Sequence, residues 1–257
     1  MDFFKGIFLL VALLAGGTQA QVPVLQALTE TLPPLNYEQD GRVTGFSSEL
    51  LDLMAAEAGL VVQKQVLPWG RAYDRATQPG PTLLYSLART PEREALFRWV
   101  GPIGPRRILL YRWADRTDIQ PKTLDDVRGY RIGSTLESAA TKSLLRQGFA
   151  LIPSEGAAAG LELAVNDALN MRKFVARRFD LLVSLDWAAA FNAKNAGVDP
   201  ADLVPVLVLD DSQSYWYGLN LSVDAEVARK LNLALQKVRG DGRYALLRQK
   251  YLLKAAR

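Results

Sequence analysis

Short β-rich runs alternate with segments of helical spacing along almost the whole chain from Val22 onward. That alternation is the pattern of an α/β architecture, in which helices cover sheet faces. Strands are expected over Val22–Leu28, Leu60–Leu67, Thr82–Leu87, Ile108–Trp113, Tyr130–Gly133, Asp180–Leu185, Val204–Leu209 and Tyr215–Val223. Helices are expected between them. One runs from a cap at Ser47 or Ser48 through Glu57, with Leu50, Leu53 and Met54 at helical spacing and Gly59 at its end. A short one covers Arg71–Thr77, and another follows Ser138 to Gly148. Asn166 or Asp167 caps a further helix, and Asp224 starts one with Val227, Leu231, Leu235 and Val238 on a single face. Gly240-Asp241-Gly242 breaks it, and Arg243–Lys254 forms the last helix. Thr90-Pro91-Glu92 is a helix start signal, with a capping hydroxyl, a proline at the first position and an acid for the dipole. Gly101-Pro102 is expected to stop that helix early.

The first twenty residues read differently. Lys5 precedes an apolar run from Gly6 to Ala15, followed by Gly16-Gly17 and the small residues Thr18 and Ala20. This is the layout of a secretory leader, with cleavage expected after Ala20. The run is short for a span of roughly 30 Å of hydrocarbon. No later stretch approaches 18 apolar residues. A soluble, periplasmic protein is the expectation.

Composition sharpens this. The 257 residues include no Cys and no His. Disulfides, thiolate nucleophiles and Cys-ligated metals are excluded. So are Ser-His-Asp triads, imidazole bases and His-ligated iron. The 31 basic and 27 acidic side chains leave a net charge of +4, too weak alone to argue for nucleic acid. An exported chain of this size without Cys or His reads as a binder: no catalytic residue, metal or cofactor is expected.

Three stretches, in order, resemble the amino-acid-binding family 3 of bacterial periplasmic solute-binding proteins. The first is Pro33-Pro34-Leu35-Asn36-Tyr37, then Gly45-Phe46 and Glu57-Ala58-Gly59. The second is Thr90-Pro91-Glu92-Arg93-Glu94 followed by Phe97. The third is Tyr217-Gly218-Leu219, Leu231-Asn232, Leu235, then Asp241-Gly242 and Tyr244. The resemblance covers nearly all of Val22–Tyr251. It implies a two-lobed periplasmic-binding-protein-like (type II) fold, with two mixed sheets flanked by helices and joined by two hinge strands. Lobe 1 would take residues 21–110 and 211–257, and lobe 2 residues 111–210. The hinges would fall near Leu110–Arg112 and Leu209–Asp211. It also implies a monomer that serves an ABC permease of the inner membrane.

Site residues carry over one at a time. Arg93 matches the arginine that pairs with a ligand α-carboxylate, a task suited to a guanidinium fork. Arg89, four residues earlier, is its competitor. Ser86 and Ala88 match strand-end donors to the same carboxylate. Trp69 matches an aromatic that packs on ligand side chains, whereas Leu32 stands where relatives often have an aromatic. Tyr37 and Phe46 read as core. Ser138 and Ala139 match a helix N-terminus of lobe 2, whose unpaired N–H groups suit an anion. Asp186 is the candidate ammonium partner. It lies six residues after Asp180, not the family's five, and the chain reads Pro79-Gly80-Pro81-Thr82 where relatives have Gly-x-x-Asp. Both departures suggest a diverged subgroup. The basic pairs Arg106-Arg107 and Arg177-Arg178 read as solvated faces. Two other functions fit the same fold. One is a receptor component that presents its ligand-bound form to a sensor kinase. The other is a lyase of the cyclohexadienyl dehydratase type with Glu137 as acid.

Overall fold

A computed structural model describes residues 24–136, 138–152 and 159–251. The expected leader, Met1–Ala20, and the candidate acid Glu137 lie outside them. Among the described residues no helix is long and apolar enough to cross a membrane.

Among the described residues, ten strands and seven α-helices are interspersed. The first group is β1 (Leu25–Thr29), β2 (Tyr37–Gln39), β3 (Arg42–Thr44), α1 (Phe46–Ala58), β4 (Val62–Val66), α2 (Trp69–Thr77) and β5 (Thr82–Ala88). The long strand β6 (Phe97–Trp113) follows. Then come β7 (Arg131–Thr135), α3 (Ala139–Arg146), β8 (Gly160–Ala164), α4 (Asp167–Val175), β9 (Leu181–Leu185) and α5 (Asp186–Asn195). The second long strand β10 (Leu203–Asn220), α6 (Ala225–Gly240) and α7 (Arg243–Tyr251) complete it.

Eight strands share one sheet in the order β4-β1-β5-β10-β6-β9-β7-β8, with β2 and β3 a separate hairpin. The outer strands on each side run parallel to their neighbours, while β10 pairs antiparallel with both β5 and β6. The two sheets expected from the sequence are therefore joined. β6 and β10 run through both halves and hydrogen-bond to each other from Phe97–Asn220 to Trp113–Leu203. Their ladder shifts register four times. Bulges of this kind bend and twist a strand without ending it.

The core changes hands along these strands. Val100 and Ile103 pack with Leu50, Met54, Leu83 and Tyr217 in one cluster. Ile108 and Leu110 pack with Ile132, Leu144 and Leu181 in another. Trp113 stacks on Phe174 with ring centroids 4.8 Å apart, on the opposite sheet face.

Local departures from the sequence reading have simple causes. α1 starts at Phe46 with Gly45 as its cap, and no hydroxyl caps it. Gly45 has φ 109°, and a Cβ there would stand 2.5 Å from the Leu35 carbonyl oxygen. Ser47 and Ser48 are fully buried, and their hydroxyls face Ser86 and Tyr85 instead of capping. After Thr90 the chain makes a 3-10 turn over Pro91–Leu96, and β6 begins at once at Phe97. Gly101-Pro102 lies inside that strand and does not stop a helix. The separate runs expected at Val204–Leu209 and Tyr215–Val223 are one strand, β10.

Candidate functional site

The carboxyl ends of the parallel neighbours β1 and β5 lie on one edge of the sheet, the usual side for ligands in open α/β sheets. Ser86 sits near the end of β5 with φ 57°, a strained value for a serine. It is buried, its hydroxyl donates to Asn36 Oδ1, and it lies 2.9 Å from Ser47 Oγ. Asn36 Nδ2 in turn donates to the Glu30 carbonyl oxygen at 2.6 Å. Asn36 thus ties the ends of β1 and β5 together.

Arg93 emerges from the 3-10 turn that follows β5. Its Nη1 donates to the Ala88 carbonyl oxygen at 3.1 Å. Its guanidinium lies over two rings, 5.4 Å from the Trp69 centroid and 5.3 Å from that of Tyr73. Trp69 opens α2, and its ring lies 5.7 Å from Tyr73 one turn on. Arg93, Ala88 and Trp69 are thereby brought together, and Arg93 makes no ion pair among the described residues. Arg89 is differently placed. It is held by Glu94 at 2.7 and 2.5 Å and lies over Trp99 and Trp216, so its fork is already occupied.

In the other half of the sheet, Ser138 caps α3, its oxygen accepting from the Thr141 N–H at 3.1 Å. Ser138 and Ala139 line a small pocket with Thr135, Asp167, Ser184 and Arg106. Asp167 accepts from the Thr135 hydroxyl at 2.5 Å. Asp186, at the start of α5, is nearly buried and already engaged. Arg107 Nε donates to one of its oxygens at 2.9 Å and the Trp187 N–H to the other at 2.9 Å. Burial pushes its carboxyl up, and the hydrogen bond from Arg107 opposes that push. Among the described residues no cluster of acids could hold a metal.

No hydrogen bond, ion pair or ring contact among the described residues joins the Arg93 group to the Ser138 group. The two halves do touch beside the long strands. Trp187 of α5 packs 5.0 Å from Phe46, and its Nε1 donates to the Pro105 carbonyl at 2.7 Å. Phe191 of the same helix lies 5.7 Å from Tyr37. Phe46 is core as expected, and Tyr37 is half-buried at this contact.

Sequence reasoning missed four residues here: Arg106, Thr135, Asp167 and Glu30. Alternation along β6 was the available signal for the first. Neighbours in a strand face opposite sides, so Arg106 and Arg107 could not share one solvated face. Arg106 reaches Asp210 at 3.3 Å and the pocket, while Arg107 reaches Asp186. Arg177 does lie near the surface, paired with Asp115 at 2.9 Å.

Comparison with known proteins agrees with this architecture. The sequence profile of the bacterial extracellular solute-binding proteins, family 3, matches residues 25–254. The probable amino-acid-binding protein YxeM of Bacillus subtilis (strain 168) is 22% identical over 219 residues, which is 85% of this chain and 79% of YxeM. Among solved structures, substrate-binding domain 2 of Lactococcus lactis GlnP in its open conformation superposes with a TM-score of 0.72. The identity is 15%, and the match covers 93% of this chain and 99% of that domain. A histidine kinase sensor domain with similarity to periplasmic binding proteins gives 0.65 at 20% identity, covering 90% and 96%. With a two-lobed α/β fold and a profile match across most of its length, the chain belongs to the bacterial extracellular solute-binding proteins of family 3.

Proposed function

We propose that this protein captures an amino acid or a related small carboxylate in the crevice and delivers it to an ABC permease of the inner membrane. It is exported, loses residues 1–20, and works in the periplasm as a monomer without catalysis, metal or cofactor. Lobe 1 takes about residues 21–104 and 214–257, and lobe 2 about residues 106–210, so the first crossing falls earlier than the Leu110–Arg112 expected from the sequence. The bends lie where β6 and β10 pass from one core to the other, around Gly104–Arg106 and Asp210–Ser214. The change of core membership between Ile103 and Ile108 supports this placement.

The observation that carries the reading is Arg93. A guanidinium fork held over two aromatic faces, with no ion pair among the described residues, is preorganised to receive a carboxylate. Trp69 packs on the ligand's side chain, and Ala88 supplies backbone polarity beside the fork. Ser86 acts from behind, fixing the strand end through Asn36 and Ser47. Lobe 2 closes with Ser138 and Ala139, whose helix terminus adds N–H groups to the anion. Asp186 holds Arg107 and the start of α5.

The test is a melting screen of amino acids, polyamines and organic acids. A ligand at about 100 times its dissociation constant adds about 2.7 kcal/mol. At roughly 2–4 °C per kcal/mol for this size, the shift is about 5–10 °C. A shift confined to carboxylate-bearing compounds is the expected outcome. Shifts from polyamines alone would defeat the carboxylate reading.

A further inference from the structure

The two long strands are irregular where they pass from one core to the other. Asp210 of β10 pairs with Ile108 of β6, and Gln213 pairs with Arg106. Asp211 and Ser212 therefore stand opposite the single residue Arg107, a bulge that bends the strand. The Asp210 carboxylate organises this bulge. Its Oδ1 accepts from the Ser212 N–H at 3.0 Å and from the Ser212 hydroxyl at 2.7 Å. Its Oδ2 accepts from Arg106 Nη1 at 3.3 Å, so one side chain ties β10 to β6 at both bends.

That tie is loose. A charge-assisted bond is usually about 2.7–2.9 Å long, and the neighbouring Arg107–Asp186 pair is 2.9 Å. The Arg106 side chain is 18% exposed and that of Asp210 34%. Arg106 also lines the lobe 2 pocket with Thr135, Ser138, Ala139, Asp167 and Ser184. Asp167 is engaged there by the Thr135 hydroxyl. The buried Tyr215 phenol lies within reach of Arg106 as well. One guanidinium thus belongs both to a polar pocket and to the bends. An accepting oxygen that enters the pocket leaves water and needs a donor. Arg106 can turn to it at small cost, because Asp210 keeps Ser212 and its share of solvent.

We propose that Arg106 is a ligand residue that links the pocket to the bends: an accepting oxygen of the ligand draws it from Asp210, and β6 and β10 are freed to close. The inference rests on the capture reading above. The oxygen belongs to the ligand's α-carboxylate or to a side-chain carboxylate or amide, which offer the same chemistry to a guanidinium. Coupling of this kind is reciprocal. Whatever weakens the tie to Asp210 strengthens binding, provided Arg106 is present.

The experiment screens wild type against the twenty common L-amino acids and succinate by melting, then titrates the best binders by calorimetry against Asp210→Asn, Arg106→Gln and the double variant. Asp210→Asn should bind about three- to fivefold tighter than wild type, the scale of a partly exposed ion pair. Arg106→Gln should bind about tenfold weaker or more, the scale of one charge-assisted hydrogen bond. The double variant should bind like Arg106→Gln, an outcome that a merely structural role for Arg106 does not give. Loss on Arg106→Gln for every amino acid bound assigns the α-carboxylate. Loss confined to Asp, Glu, Asn and Gln assigns the side chain. If Asp210→Asn binds no tighter than wild type, or if its gain persists without Arg106, the inference falls and the capture reading stands. Should Arg106→Gln fail to fold, Arg106→Lys replaces it and Asp210→Asn still decides. If none of these compounds binds wild type, both readings fall.

Discussion

At the residue scale, the site depends on which charges the protein has already satisfied. Arg89 and Arg93 are four residues apart and equally eligible by type. The first is locked by Glu94 and two tryptophans, and the second meets two ring faces and one carbonyl, with no ion pair among the described residues. Asp186 is engaged at both oxygens, whereas no hydrogen bond or ion pair among the described residues reaches the Glu30 carboxyl. Glu30 makes a pH prediction with a definite sign. Its folded pKa is raised above 4.5 by burial. A raised acid carries no penalty below the unfolded value, where both states are protonated. The penalty develops as pH rises through the folded value. Ligand-free Glu30→Gln should therefore gain melting temperature over wild type at pH 7 and show almost no gain at pH 4, as read by calorimetry. A gain of the same size at both pH values would contradict the assignment. None of this was legible in the sequence. The turn that carries Arg93 was readable from Pro91, although Thr90 makes no capping hydrogen bond, whereas engagement of a side chain depends on partners far along the chain, such as Arg107 for Asp186.

At the element scale, most strands and helices were legible from periodicity, and two of the exceptions share one cause. Gly101-Pro102 and the run from Asp211 to Ser214 look like breaks locally. Pairing between β6 and β10 carries both through, because each supplies the other's hydrogen-bond partners. β8 was missed because Gly160–Ala164 is short and holds a glycine and a glutamate. The α5 contact is a second non-local feature. Trp187 reaches across to Phe46 because Gly104 leaves room: a Cβ there would stand 2.6 Å from the indole. Gly104→Ala should thus push Trp187 from its place and cost about 1–3 kcal/mol by overpacking. Denaturant unfolding measures it, and a cost under a few tenths of a kcal/mol would show that the contact yields freely.

At the scale of the whole molecule, the architecture suits capture. Two cores are connected by two long strands and the two aromatic contacts of α5, and no direct bond among the described residues joins the Arg93 and Ser138 groups. Bending of β6 and β10 would bring them together on a ligand, the familiar hinge closure of binding proteins. Small-angle scattering should then show a smaller radius of gyration with the screen's best ligand than without it. An unchanged radius at saturation would leave the lobes rigid.

The central claim is that Arg93 receives the ligand's carboxylate, and titration calorimetry of wild type against Arg93→Ala tests it most directly. Truncating one member of a shielded, hydrogen-bonded charge pair costs about 2 kcal/mol or more. The account predicts affinity for the best carboxylate ligand falling by about 30-fold or more, with the ligand-free melting temperature nearly unchanged. Affinity within twofold of wild type would contradict it.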